Sequence, residues 1–225
     1  MRKKLFWLVL LFPSIQSFAQ THSSDSIGGH AYVDLGLASG TLWATCNVGA
    51  ERPEEFGGYF AWGETAQKDS CNWDRYKLSE GGPANLTKYC TDDFFGTSDG
   101  RTTLLPEDDA ATVNWGPRWR MPTYKEQQEL LKGCVWVWTD NYAGTGVSGR
   151  LGTSIATGQV IFLPAAGYKG EGHLYSVGDF GEYWSSSLDS SSSDSALDFS
   201  FVSGNISSFG NSRYNGQSVR AVVVK

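Results

Sequence analysis

Apolar and polar positions alternate along much of the chain. Leu42, Ala44, Cys46 and Val48 fall on one side of an extended segment, with Trp43, Thr45 and Asn47 on the other. Ala38-Ser39-Gly40 separates this run from residues 31–37, and the two predict a strand–turn–strand hairpin. Val160-Ile161-Phe162-Leu163 has the unbroken apolar character of a buried strand. Tyr183-Trp184-Ser185-Ser186-Ser187 predicts a strand with mixed faces. Leu197, Phe199 and Phe201 alternate with Asp198 and Ser200, which predicts a half-buried strand whose polar positions meet solvent. Val219, Ala221 and Val223 predict a closing strand.

Two segments read as helices. Thr123-x-x-Glu126 is a capping box, in which the two side chains satisfy orphan backbone donors of a first turn. Leu130 and Leu131 follow as its apolar face and Gly133 as its stop. A shorter helix is predicted from Pro106 through Glu107-Asp108-Asp109-Ala110-Ala111, where acidic residues suit the positive end of the helix dipole. Few helices among many antiparallel strands make an α+β class. Long polar loops at residues 189–195 and 203–216 are uncommon in a folded domain and are often functional.

The amino terminus changes the picture. Met1-Arg2-Lys3-Lys4 is basic, an apolar run follows from Leu5 to Phe12, Pro13 breaks it, and Ser17-Phe18-Ala19 places small residues at a cleavage site. These are the parts of a secretory signal peptide over residues 1–19. A membrane anchor is the competing reading, but the run is too short to cross ~30 Å of hydrocarbon. No other segment is apolar enough to span, and no Cys follows the cut to accept a lipid. Residues 20–29 are polar and read as a flexible leader, leaving residues 30–225 as one domain. The expected location is outside the cytoplasm: extracellular, cell-surface or periplasmic. Loss of Arg2, Lys3 and Lys4 takes the formal net charge from −6 to −9. That balance disfavours nucleic acid as a partner, since phosphate neutralisation needs clustered Lys and Arg.

Export also permits disulfides among Cys46, Cys71, Cys90 and Cys134. Cys71–Cys90 closes the shortest loop, leaving Cys46–Cys134; free buried thiols are the alternative. Zinc is disfavoured, because no Cys-x-x-Cys occurs and His22, His30 and His173 are scattered.

No catalytic set emerges. Gly144-x-Gly146-x-x-Gly149 matches a dinucleotide fingerprint as text, but no helix start follows it, so a hairpin loop is the better reading. There is no Gly-x-Ser-x-Gly elbow, and His173 sits in a glycine-rich loop. Asp92, Asp93, Asp99, Glu107, Asp108 and Asp109 gather carboxylates that could hold Ca²⁺ as hard oxygen ligands. The same cluster leaves room for a glycan-acting hydrolase with paired carboxylates. A solvated acidic loop is the plainer reading, with no cofactor. The chain carries 9 Trp and 10 Tyr, more than a small core needs, so some are available for stacking on a ligand.

Several phrases then occur in a telling order. They are Tyr32-Val33-Asp34-Leu35-Gly36-Leu37, Trp43-Ala44-Thr45-Cys46-Asn47-Val48-Gly49-Ala50, Tyr59-Phe60-Ala61-Trp62-Gly63-Glu64 and Leu86-Thr87-Lys88-Tyr89-Cys90. After them come Trp119-Arg120-Met121-Pro122-Thr123, Phe162-Leu163-Pro164-Ala165-Ala166-Gly167-Tyr168, Tyr183-Trp184-Ser185-Ser186-Ser187 and Asn215-Gly216-Gln217-Ser218-Val219-Arg220. Together they resemble the Fibrobacter major paralogous domain proteins, common among exported proteins of gut Bacteroidetes. The resemblance covers nearly all of residues 30–225. It implies a C-type-lectin-like fold of the sulfatase-modifying-factor branch, similar to the variable proteins of diversity-generating retroelements.

In those proteins the C-terminal stretch carries exposed ligand-binding positions on a fixed scaffold. Carried over, the implied ligand-binding residues are Ser190, Ser192, Asp194, Asn205, Ser207, Phe209, Asn211, Arg213 and Tyr214. The branch's oxidase chemistry needs a C-terminal cysteine pair, and this chain has no Cys after Cys134. The Glu-Pro-Asn and Trp-Asn-Asp motifs of calcium-dependent lectins are also missing, so sugar binding does not follow from the fold. The expected function is non-catalytic recognition of a protein or glycan in adhesion at the cell surface. A hydrolase and a structural or tip subunit of a surface assembly are the alternatives.

Overall fold

A Gly-Gly pair turns the first hairpin. The computed structural model describes residues 25–224, so the signal-peptide segment lies outside the described residues. β1 (Ser26–Ile27) turns back through Gly28 and Gly29 onto β2 (His30–Val33). Both glycines have positive φ, which a two-residue hairpin turn requires and side-chain-bearing residues resist. Within the segment read as a flexible leader, Ser26 and Ile27 pair with Ala31 and His30. β2 continues into β3 (Thr41–Ala44), as the alternation predicts.

The long stretch from β3 to residue 105 is irregular and held by turns. The predicted helix at Pro106 divides in two. Residues 106–108 form one tight 3₁₀ turn, and α1 (Ala110–Trp115) begins after it. The reason is Asp109, which adopts an extended conformation and caps α1 by accepting from Thr112 N. α2 (Tyr124–Gly133) carries the predicted capping box of Thr123 and Glu126. Gly133 is its last residue, not the stop beyond it.

α2 runs directly into β4 (Cys134–Thr139), which forms an antiparallel sheet with β5 (Gly149–Ser154) and β6 (Val160–Pro164). The glycine-rich text at Gly144 lies in the β4–β5 connection, as the hairpin reading expects. β7 (Tyr168–Gly170) and β8 (His173–Tyr175) make a two-stranded hairpin, so His173 is on a strand. β9 (Gly181–Leu188), β10 (Ser195–Phe201), β11 (Ile206–Ser207) and β12 (Gly210–Ser212) form a third sheet. β13 (Val222–Val224) returns to pair with β3, so the first and last described strands share one sheet. The architecture is α+β, mostly antiparallel sheet with few helices.

Two apolar clusters fill the interior. One is built around Trp62, Trp119 and Trp184 with Tyr76 and Tyr89; the other around Trp43, Leu130, Leu163, Phe199 and Phe201. Each buried Trp removes 150–250 Å² from water, worth several kcal/mol at ~25 cal/mol per Å². Their ring N–H groups are used as well: Trp62 Nε1 donates to Ser185 O at 2.8 Å and Trp184 Nε1 to Phe60 O at 2.9 Å.

The cysteines do not pair: Cys46, Cys71, Cys90 and Cys134 are all free thiols, against the Cys71–Cys90 and Cys46–Cys134 expectation. Cys71 packs on Gly216, whereas the Cys90 thiol turns into its own loop and donates to Asp92 O at 3.1 Å. Cys134 opens β4 inside the cluster of Leu130 and Leu163. Among the described residues no helix is long and apolar enough to cross a membrane.

Candidate functional site

β10 is the centre of its sheet. β9 lies along one edge, and β11 and β12 share the other. Both edges of β10 are therefore paired, and its polar positions Asp198 and Ser200 do not meet solvent as the alternation predicts. Asp198 is 0% exposed and Ser200 is buried beside it. Across the ladder, Glu182 on β9 is buried too.

The two carboxylates meet through shared amides. Gln217 Nε2 donates to Asp198 Oδ2 at 2.9 Å and to Glu182 Oε2 at 3.2 Å. Asn211 Nδ2 reaches the same two oxygens at 3.3 Å each. Ser200 Oγ adds a bond to Asp198 Oδ1 at 2.9 Å. Burial, and then the neighbouring Asp198 charge, push the Glu182 carboxyl up to about 7. Burial likewise lifts Asp198 to about 6, against the hydrogen bonds from Gln217, Ser200 and Asn211. The pair thus holds a proton near neutral pH, as like charges do when neither can be solvated.

An aromatic rim lies over this pair. Asn215 Nδ2 donates to Asn211 Oδ1 at 2.9 Å, extending the amide chain outward. Asn215 lies beside Gly170 on the β7–β8 hairpin, next to Tyr168 and Tyr175, whose rings stack at 5.2 Å. Tyr214 meets Trp73 edge-on at 5.1 Å. Burial raises the Tyr214 and Tyr168 phenols; Glu171, Tyr168 and Tyr175 add to the first, and Glu182 and Tyr175 to the second. The hairpin has Glu171 and Gly172 at its tip, both with positive φ, the geometry of a two-residue type I′ turn. Its base is fixed by Gly167, where a Cβ would sit 2.0 Å from Tyr175 O. Lys169 and Gly216 exchange backbone bonds of 2.7 and 2.8 Å, locking the hairpin to the 211–218 segment. Tyr175, exposed, and Tyr168, Tyr214 and Trp73, half-buried, leave aromatic surface open to a ligand.

The residues expected to bind ligand separate into groups. Ser190 and Ser192 line a polar cleft of about 390 Å³ with Thr91, Asp92 and Asp93. Asp194 is half-buried and accepts from Ser192 Oγ and Ser195 Oγ at 2.6 and 2.9 Å. Asn205 and Phe209 are exposed, and Ser207 pairs with Ser200 in β11. Asn211 and Tyr214 belong to the site just described.

Arg213 does not face a ligand, which corrects its expected role. It is 0% exposed and donates to Tyr76 Oη at 2.9 Å, Tyr89 O at 3.0 Å, Ser193 O at 2.9 Å and Lys88 O at 3.0 Å. Its guanidinium lies 4.9 Å from the Trp62 ring centroid. Tyr89 adopts a positive φ of 57° that a bulky side chain resists. It is held there by Asp99 on its backbone N–H and Asp108 on its hydroxyl. Arg213 is thus the post that ties the C-terminal segment to loops 88–89 and 193.

The acidic cluster is largely structural. Asp108 accepts from Lys88 and from Tyr89 Oη. Asp109 accepts from Thr112 N and Met121 N at 2.9 and 2.8 Å. Asp99 is held at about 2: burial opposes this, but hydrogen bonds from Arg101, Tyr89 and Cys90 outweigh it. Among the described residues no group of three or more His, Cys, Asp or Glu comes together to hold a metal.

Glu182, Asp198, Gln217, Asn215, Tyr168, Tyr175 and Trp73 were not among the expected site residues. Their connection is made by tertiary pairing of β7, β9, β10 and the 211–218 segment, which local periodicity does not encode. No local cue marked β10 as central, because residues 203–216, which supply β11 and β12, read as a polar loop. Compared with family models, with curated protein sequences and with solved structures, the chain matches none.

Proposed function

We propose that this chain is an exported, non-catalytic binding protein with a C-type-lectin-like fold. It recognises its ligand through the tyrosine rim of Tyr168, Tyr175 and Tyr214 with Trp73 and Asn215. The observation that carries this reading is the amide chain running from a buried carboxylate pair to open aromatic faces. Aromatic planes supply stacking area, and Asn211, fully engaged with Glu182, Asp198, Ser212 and Asn215, orients the Asn215 carboxamide at the outer end of the chain, which supplies the polar contact. That combination suits a hydroxyl-rich glycan, with a protein surface as the other ligand class. Export rests on the basic and apolar pattern of residues 1–19. Phe209, Asn205 and the serine cleft extend the same side of the reading as secondary contacts. The hydrolase alternative loses support because Asp108 and Asp109 are committed to Lys88, Tyr89, Thr112 and Met121.

The test is a glycan array and a cell-surface pull-down with the mature chain. Tyr168→Ala and Tyr214→Ala should each weaken binding about tenfold, the loss of one aromatic contact of ~1.5 kcal/mol. Binding untouched by both variants, or turnover of a bound glycan by the purified chain, would sink the proposal.

A second reading, a structural subunit of a surface assembly, is favoured by one observation. Val135, Val137 and Val160 are about half exposed or more and share one face of the β4–β5–β6 sheet. Concentration-dependent assembly of the pure protein, lost in Val137→Lys, would support it; a monomer at all concentrations would count against it.

A further inference from the structure

Among the described residues six buried side-chain polar atoms lack a hydrogen-bond partner, and three of them, Trp43 Nε1, Gln127 Oε1 and Arg220 Nη2, belong to residues around one cavity. Their residues are 2%, 2% and 1% exposed. The three residues belong to different elements, β3, α2 and the segment leading into β13, yet all three line one cavity of about 10 Å³. The remaining wall is largely apolar, including Pro122, Leu130, Leu163 and Phe199. A buried polar atom without a hydrogen bond costs about 1–3 kcal/mol, and three around one cavity seldom coincide without a shared partner.

The chemistry of the three atoms selects the guest. Trp43 Nε1 and Arg220 Nη2 are donors, and Gln127 Oε1 is an acceptor. The Gln127 orientation is fixed from behind, because its Nε2 donates to Tyr183 O at 2.9 Å; a flipped amide would set oxygen against oxygen. Arg220 is also fixed, with Nε on Asn47 Oδ1 at 2.8 Å and Nη1 on Ala44 O and Thr45 O at 3.2 and 2.7 Å. None of the ion pairs among the described residues includes Arg220. An anion would suit the two donors but would face the lone pairs of Gln127. The volume is at the lower limit for a single water.

We propose that this cavity is a binding site for one internal water, which accepts from Trp43 and Arg220 and donates to Gln127. The water joins the β3 layer, α2 and the C-terminal segment one residue away from Glu182, through the Gln127–Tyr183 bond. It also solvates a buried guanidinium that has no carboxylate.

The test uses the mature protein crystallised in bromide, with water–protein cross-relaxation measured in solution. The expected result is one ordered water within hydrogen-bond reach of all three atoms, no bromide peak there, and a water cross-peak at the Trp43 indole N–H. Gln127→Met should fill the space and abolish that cross-peak. A bromide peak on Arg220, or a wild-type map without a bound water at the three atoms, would overturn the proposal. So would a cross-peak undiminished in Gln127→Met. If that variant does not fold, the wild-type map decides alone.

Discussion

Glu182 and Asp198 accept hydrogen bonds from the same amide nitrogen, Gln217 Nε2, at 3.2 and 2.9 Å. Two carboxylates from neighbouring strands are thereby held together where water does not reach. Ionising both is costly, so they titrate as a unit.

This gives the fold a pH dependence of defined sign. Both groups lie above their ordinary values of 4.5 and 3.8, at about 7 and about 6. The folded state holds more protons than the unfolded chain between these limits, so stability falls as pH rises from about 4 to 7. Glu182→Gln removes the penalty. It should be more stable than wild type at pH above 7 by on the order of 1–3 kcal/mol, with the gain vanishing at acid pH. Urea denaturation across pH reads both parts.

Glu126 predicts the opposite sign. Burial works against its charge, but Arg120 at 2.6 and 2.7 Å, with the Thr123 bonds, brings it down to about 2. Its contribution is present above 4.5 and is lost as pH falls toward 2. Thr123→Ala, which loses the helix cap and one hydroxyl bond to Glu126 but keeps the Arg120 pair, should cost about 1 kcal/mol at neutral pH. Glu126→Ala should cost more than Thr123→Ala, and its excess should shrink in acid, as thermal denaturation would show.

Arg213 should tolerate no replacement. Arg213→Met leaves Lys88 O, Tyr89 O, Ser193 O and Tyr76 Oη without their donor, a loss of about 3–5 kcal/mol. Arg213→Lys should recover little, because a single ammonium cannot reproduce the planar fork of donors. Amide exchange should report early opening of loops 88–89 and 193 in both variants.

The thiols offer a direct count. Denatured, unreduced protein should titrate with four free thiols. In the folded state Cys46, the half-exposed one, should react first. Burial raises the Cys71 thiol, and raises Cys134 to about 11, which suppresses their reactive thiolates. A count of two or none would restore the disulfide expectation.

Local chemistry carried much of the fold into the sequence. The Thr123–Glu126 box needs only four consecutive residues, and α2 begins where it says. The β3 alternation and the unbroken apolar run of β6 were readable for the same reason. Gly28-Gly29 is a two-residue hairpin signal too, but its polar surroundings led residues 20–29 to be read as a leader. The site was less legible. Tyr214 and Asn211 lie in a loop whose composition stands out, but their partners Glu182 and Tyr168 are recruited from 29 or more positions away. Arg213 sits between these two in sequence and points the other way, a reversal set by tertiary contacts alone.

The acceptors of Arg213 include three main-chain carbonyls, and a carbonyl is present whatever amino acid occupies a position. Substitutions at Lys88 or Ser193 that preserve the backbone path leave those acceptors in place. The outward-pointing neighbours of the anchor can therefore be rewritten without redesigning its foundation. Such a platform tolerates replacement of its exposed side chains at little cost in folding.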